Sequence, residues 1–232
     1  MTHHIVPIGG TARGGSDGAL DEYLLELSGR DDPRVCFVPT ASGDADAYIT
    51  LFYERFPSTT CRPSHVTLFR PPALPPAELL ADADIIYVGG GSTANMLAVW
   101  RLHGIDTMLR SAYERGAVLT GSSAGAICWF EDGITDSFGN ELAALHDGLG
   151  YLAGSFCPHY DSEVQRRPVY RRLVADGAVP AGLAGEDGVA FHFDDGNLVE
   201  VVSSRPDAAG YQLEAVDGEA VEVRLPTRYL GT

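Results

Sequence analysis

Through the first two-thirds of the chain, short runs that are apolar at nearly every position alternate with segments whose apolar residues recur at helical spacing. HIVPIGG, RVCFVPT, HVTLF, DIIYVGGG and AVLTG read as strands. GALDEYLLELSG, ADAYITLFYERF, STANMLAVWRLHG and IDTMLRSAYERG read as helices, the third opening on Ser92 as N-cap, and a further helix starts at Ala124. RPPALPPAEL reads as a proline-rich turn between two strands. Strands that are apolar throughout imply a sheet covered on both faces. Their alternation with helices implies parallel βαβ units, hence an α/β fold with an open, mostly parallel sheet and helices on both faces. From about Val189 the pattern changes. VAFHFDDGNLVEVVS and YQLEAVDGEAVEVRL are strand pairs around turn residues, which predicts antiparallel C-terminal strands. No repeat, low-complexity tract or long linker interrupts residues 1–232, so the expectation is one domain.

Composition narrows the function. Acidic residues outnumber basic ones 32 to 16, for a formal charge of −16. That balance argues against nucleic acid, whose phosphates need a cationic surface. It also means that an acidic substrate must find a local cation. Every basic residue is arginine; the absence of lysine excludes a Schiff-base enzyme, a Ser-Lys dyad and a Walker-type phosphate loop. No apolar run approaches the ~20 residues of a membrane span. MTHHIVPIGG lacks the pattern of a signal peptide, so a cytoplasmic location is expected. The four cysteines show no CxxC spacing, and Cys36 and Cys128 sit in apolar runs as reduced packing residues. Neither a metal nor a cofactor is called for.

The candidate chemistry lies in LTGSSAGAICWF. Gly121-Ser122-Ser123-Ala124-Gly125 fits G-x-S-x-G with Ser123 at its centre, a strand before it and a helix after it. A serine on such a turn is held in a tight backbone conformation, and its hydroxyl projects at the carboxyl end of the sheet. The amide of Ala124 can then face a developing oxyanion. The bland alternative is a flexible turn. Gly89–Gly91, in VGGGSTANML, form a second glycine-rich strand-to-helix turn and could supply the other half of an oxyanion hole. A base is still required. His3, His4, His65 and His103 look peripheral and His192 lies in a C-terminal strand, whereas His159, in GSFCPHYDSE, ends an apolar strand. The same stretch offers His159, Asp161 and Glu163 as a metal site, but no second histidine completes it.

Taken together, GGGST (89–93), GSSAGAICW (121–129), DS (136–137), GLG (148–150) and CPHYDSE (157–163) give the chain its resemblance to the peptidase E family of serine peptidases, the aspartyl dipeptidases. Cyanophycinases and class I glutamine-amidotransferase domains look like distant relatives with the same architecture. The resemblance implies Ser123 as nucleophile, His159 as general base, and Gly90, Gly91 and Ala124 around the oxyanion. It implies a carboxylate after the histidine as third member: Asp187 by ungapped comparison, Glu186 because the family often has Glu, with Asp136 a further candidate. It implies acyl transfer on Asp-X dipeptides, a small peptide as the partner, and a homodimer as a plausible state. Preference for aspartate needs a cation. Arg166, first of the four arginines in EVQRRPVYRRL, comes nearest the family's aspartate-binding arginine, while Asp161 or Glu163 could accept the substrate amine. The rivals are a cyanophycinase-like hydrolase of β-aspartyl-arginine and a catalytically silent amidotransferase-like binding protein.

Overall fold

The computed structural model describes residues 2–11 and 18–231. In chain order, the first half contains β1 (His4–Ile8), α1 (Gly18–Leu27), β2 (Arg34–Val38), α2 (Asp46–Arg55), β3 (Arg62–His65), α3 (Pro76–Asp82) and β4 (Ile85–Val88). Then come α4 (Thr93–His103), α5 (Ile105–Glu114), β5 (Val118–Ser122), α6 (Ala124–Ile127), β6 (Phe130–Thr135), β7 (Ala143–Leu145) and β8 (Leu152–Cys157). The last third holds α7 (Arg166–Ala175), β9 (Gly182–Gly185), β10 (Val189–Asp194), β11 (Asn197–Ser203), β12 (Gly210–Val216), β13 (Glu219–Arg224) and β14 (Arg228–Tyr229).

The strands form two sheets. The larger runs β14-β11-β10-β1-β5-β4-β2-β3, and its β1, β5, β4, β2 and β3 are parallel, as the alternating pattern predicts. Neighbouring residues of one strand feed different cores. Cys36, Val38, Ile86, Val88 and Leu119 pack with Met96, Trp100 and Leu109 of α4 and α5. Val35, Phe37, Ile85, Tyr87 and Val118 pack with Leu20 and Leu24 of α1 and Ile49 and Phe52 of α2. Both faces are therefore covered, which is why these strands are apolar at every position.

The smaller sheet runs β13-β12-β9-β8-β6-β7, with β6, β8 and β9 parallel. The C-terminal hairpins are antiparallel as expected, β10 to β11 in the large sheet and β12 to β13 in the small one. α7 covers the small sheet through Tyr170 and Val174. Arg167 and Arg171 tie it to Glu222 of β13. Burial pushes the Glu222 carboxyl up, but the Tyr160 hydroxyl and these two guanidiniums outweigh it and hold the group below the usual carboxylate range.

Two elements differ from the sequence reading. β3 is Arg62–His65, ahead of the predicted HVTLF. The chain leaves the ladder after Val66 because the Asp44 carboxylate accepts hydrogen bonds from the Leu68 and Phe69 amides, at 2.6 and 2.8 Å. The proline-rich turn contains α3, with Pro76 in its first turn, where the fixed φ suits a helix start and the missing N–H costs nothing. Among the described residues, no helix is long and apolar enough to cross a membrane.

Candidate active site

β5 ends at Ser122, and the next residue turns the chain sharply into α6. Ser123 has φ 59° and ψ −115°, a conformation that costs a non-glycine residue about 1–3 kcal/mol and must be held by its surroundings. The flanking glycines explain how. A Cβ on Gly125 would lie 2.2 Å from the Val88 carbonyl oxygen, and one on Gly121 would lie 2.5 Å from that of Gly125. The turn is packed backbone against backbone, so the glycines fix Ser123 rather than loosen it.

The end of β1 organises the rest. Its last carbonyl, Ile8, accepts the Ser123 N–H at 3.3 Å; the next, Gly9, accepts the His159 N–H at 2.8 Å; the third, Gly10, accepts the Gly188 N–H at 2.7 Å. Three consecutive carbonyls thus anchor the serine turn, the histidine and the turn bearing Asp187. His159 follows β8 and has φ 56°. Asp187 follows β9, the parallel neighbour of β8, so both side chains start from the same end of the small sheet.

His159 Nδ1 lies 2.7 Å from Asp187 Oδ1. With Nδ1–H donating to the carboxylate, Nε2 is left unprotonated, which is the state a general base needs. Asp187 is nearly buried. Burial pushes its carboxyl up, but hydrogen bonds from His159 and Ser162 and the nearby Arg205 guanidinium outweigh that and hold it below the usual carboxylate range.

Of the candidate carboxylates, Asp187 is the one hydrogen-bonded to His159. Glu186 is turned toward β12, where Oε2 accepts the Ala209 N–H at 3.0 Å and Oε1 the Tyr211 hydroxyl at 2.8 Å, so it does not partner His159. Asp136 is exposed in the turn after β6 and is not the partner either. Asp161 is also reassigned: its Oδ1 accepts the Asp187 N–H at 2.9 Å and its Oδ2 pairs with Arg205 Nη1 at 2.7 Å. Arg205 Nη1 reaches the Asp187 carbonyl at 2.8 Å as well, so Asp161 and Arg205 together brace the Asp187 turn.

Arg166 corrects the expectation most sharply. It is 3% exposed, its Nε donates to Glu163 at 2.6 Å and its Nη1 to the Ile134 carbonyl at 3.2 Å. It does not border the cavity that holds Ser123, because these partners hold its guanidinium against β6. Glu163 is occupied by the same pair, so neither it nor Asp161 joins His159 as a metal ligand.

Ser123, His159 and Gly89–Gly91 border one cavity of about 880 Å³. The Gly89 N–H is taken by the Val38 carbonyl at 3.1 Å, and Gly90 abuts the serine, its ideal Cβ position lying 3.3 Å from Ser123 Cβ. A Cβ on Gly91 would instead strike the Ala41 carbonyl oxygen at 2.1 Å. Beyond the glycines the cavity continues to Phe37, Phe52 and Tyr87 and to the ion pair of Arg55 with Asp21. Sequence reasoning missed Gly10, Arg205 and this ion pair. Only Gly10 left a local sign, the doubled glycine closing the first strand.

The model of peptidase family S51 matches residues 6–201. An uncharacterized peptidase of Bacillus subtilis (strain 168), YgaJ, is 48% identical over 213 residues, covering 92% of each chain. The crystal structure of a peptidase from an acI-B1 actinobacterium superposes with a TM-score of 0.71 at 14% identity, covering 97% of this chain and 98% of that one. A putative peptidase E protein from Listeria monocytogenes EGD-e gives 0.61 at 15% identity, covering 97% and 100%. These two likenesses concern the fold. With the family model spanning most of its length, the chain belongs to peptidase family S51, the peptidase E family.

Proposed function

We propose that the protein is a serine peptidase that hydrolyses dipeptides with N-terminal aspartate through Ser123, His159 and Asp187. The observation that supports it is the strained Ser123 on the border of a cavity shared with His159, whose Nδ1 is hydrogen-bonded to a nearly buried carboxylate. In this reading His159 Nε2 takes the Ser123 proton as Oγ attacks the scissile carbonyl. The oxyanion is held by the amides of Ala124 and Gly90, the glycine that abuts the serine. Collapse of the tetrahedral intermediate expels the amine, which takes the proton from His159. Water, deprotonated by His159, then releases the acyl group and restores the serine. Asp187 fixes the imidazole tautomer and stabilises its cationic form. Aspartate as the acyl residue rests on family membership, since Arg166 is engaged elsewhere.

The test is hydrolysis of Asp-Leu, Leu-Leu and β-aspartyl-arginine by wild type and Ser123→Ala, beside labelling of Ser123 by a fluorophosphonate. Turnover of Asp-Leu alone, abolished in the variant, is the expected result. Labelling with cleavage only of the β-linked compound would move the protein to a cyanophycinase-like activity. A wild type that neither labels nor cleaves would refute the nucleophile.

A further inference from the structure

We propose that the cavity wall beside Ser123 is a subsite for a large apolar, preferentially aromatic, side chain on the leaving residue of the substrate. The proposal rests on the reading above, in which aspartate supplies the acyl group and the second residue departs.

The wall begins next to the nucleophile. Gly90 abuts Ser123, and the ideal Cβ position of the preceding Gly89 lies 3.0 and 3.1 Å from two ring atoms of Phe37. The Phe37 ring stacks on Phe52, with centroids 4.8 Å apart and planes 9° from parallel, and Tyr87 tilts against Phe37 at 6.1 Å. All three rings are almost wholly buried, yet they border the cavity. A side chain one residue from the scissile bond therefore meets a preformed apolar wall in which these rings show only their edges, and edge-to-face contact suits an aromatic group there. At the outer end, α2 presents Tyr48 at 48% and Leu51 at 54% exposure on the border of the same cavity. Their apolar surface gains little from the protein's own packing and has an occupant if the substrate side chain lies against it.

Among the described residues, the polar groups on this wall argue against an acidic occupant. Arg55 donates Nε to Asp21 Oδ2 at 3.1 Å and Nη2 to Asp21 Oδ1 at 2.5 Å, and Nη1 reaches the Tyr87 hydroxyl at 3.2 Å. Its charge is matched by Asp21 within the wall. Glu22 and Glu54 also border the cavity, in a chain of formal charge −16, so an acidic side chain here would be repelled.

The experiment is calorimetric titration of Ser123→Ala with Asp-Phe, Asp-Leu, Asp-Ala and Asp-Asp. The expected order of affinity is Phe, Leu, Ala, Asp, with Asp-Phe at least about tenfold tighter than Asp-Ala from the added buried surface. Adding Tyr48→Ser and Leu51→Ser, both at exposed positions, should reduce that ratio severalfold. Equal affinity for Asp-Phe and Asp-Ala, Asp-Asp binding as tightly as Asp-Phe, an unchanged ratio in the triple variant, or no binding of any peptide would each overturn the proposal. Fluorophosphonate labelling of wild type reads the nucleophile without this subsite, so the two readings fail separately.

Discussion

Gly10→Ala is the substitution that most directly tests how the site is assembled. A Cβ at this position would stand 1.9 Å from Asp187 Oδ1 and 2.5 Å from His159 Nδ1. Ordinary contact begins near 3.4 Å, so the carboxylate oxygen must retreat by roughly 1.5 Å. That displacement carries a 2.7 Å hydrogen bond well beyond the ~3.2 Å limit for N–H···O. Gly10 does not have a positive φ, so the clash is the effect to be reckoned with. Loss of the carboxylate's hold on the histidine tautomer costs about 10⁴ in rate in chymotrypsin-type serine proteases, so a fall of about 10²–10⁴ is expected, which corresponds to roughly 3–5 kcal/mol of activation free energy. Overpacking should lower stability by only about 1–3 kcal/mol. The assay is the second-order rate of inactivation by a fluorophosphonate, which needs no knowledge of the peptide substrate, beside a thermal melt. A folded Gly10→Ala protein that reacts within threefold of wild type would show that the His159–Asp187 pair does not activate Ser123.

The remaining expectations are smaller in scope. Asp161→Asn and Arg205→Met should each slow fluorophosphonate inactivation by about tenfold, as expected when a charge-assisted bond worth ~1.5–3 kcal/mol positions the carboxylate; Arg205→Lys should recover part of the loss, and wild-type rates in Asp161→Asn and Arg205→Met would remove the brace from the mechanism. Arg166→Met should leave the Asp-Leu to Leu-Leu preference intact while lowering the melting temperature, because its partners are Glu163 and a backbone carbonyl; a lost preference would restore it as a substrate residue. The Asp187 carboxyl is held below its ordinary value, so its ionised form contributes stability above the unfolded value of about 3.9 that is lost as pH falls through the lower folded value. Denaturant midpoints between pH 2 and 7 should accordingly fall less steeply at the acid end for Asp187→Asn than for wild type, and parallel curves would contradict the sign. Gly125→Ala, whose Cβ would sit 2.2 Å from the Val88 carbonyl oxygen, should fail to accumulate as folded protein, which a solubility and circular-dichroism comparison would check.

What the sequence disclosed was chiefly local. Runs such as RVCFV and IIYV have no polar face because helices cover both sides, and the glycines around Ser123 mark a close backbone approach that no other residue permits. His159 was legible as a strand-end histidine. The choice between Glu186 and Asp187 was not, because the two are adjacent, and which one faces His159 is decided by Ala209, Tyr211 and the Asp161 brace. Arg166 misled for a similar reason: the four arginines of α7 look alike until β6 takes Arg166 and β13 takes Arg167 and Arg171. The shift of β3 came from Asp44, about two dozen residues away from the amides it caps.

The three carbonyls at the end of β1 also have a consequence for when activity appears. Ser123, His159 and Gly188, the neighbour of Asp187, arrive from distant parts of the chain, yet each is indexed to a successive peptide unit of one short segment. Slippage of that segment by one residue would misplace all three together, whereas fraying of the distant β13 edge would touch none. Catalytic competence should therefore switch on as a single event when residues 8–10 lock, and the amides of Ser123, His159 and Gly188 should exchange their hydrogens as one cooperative unit.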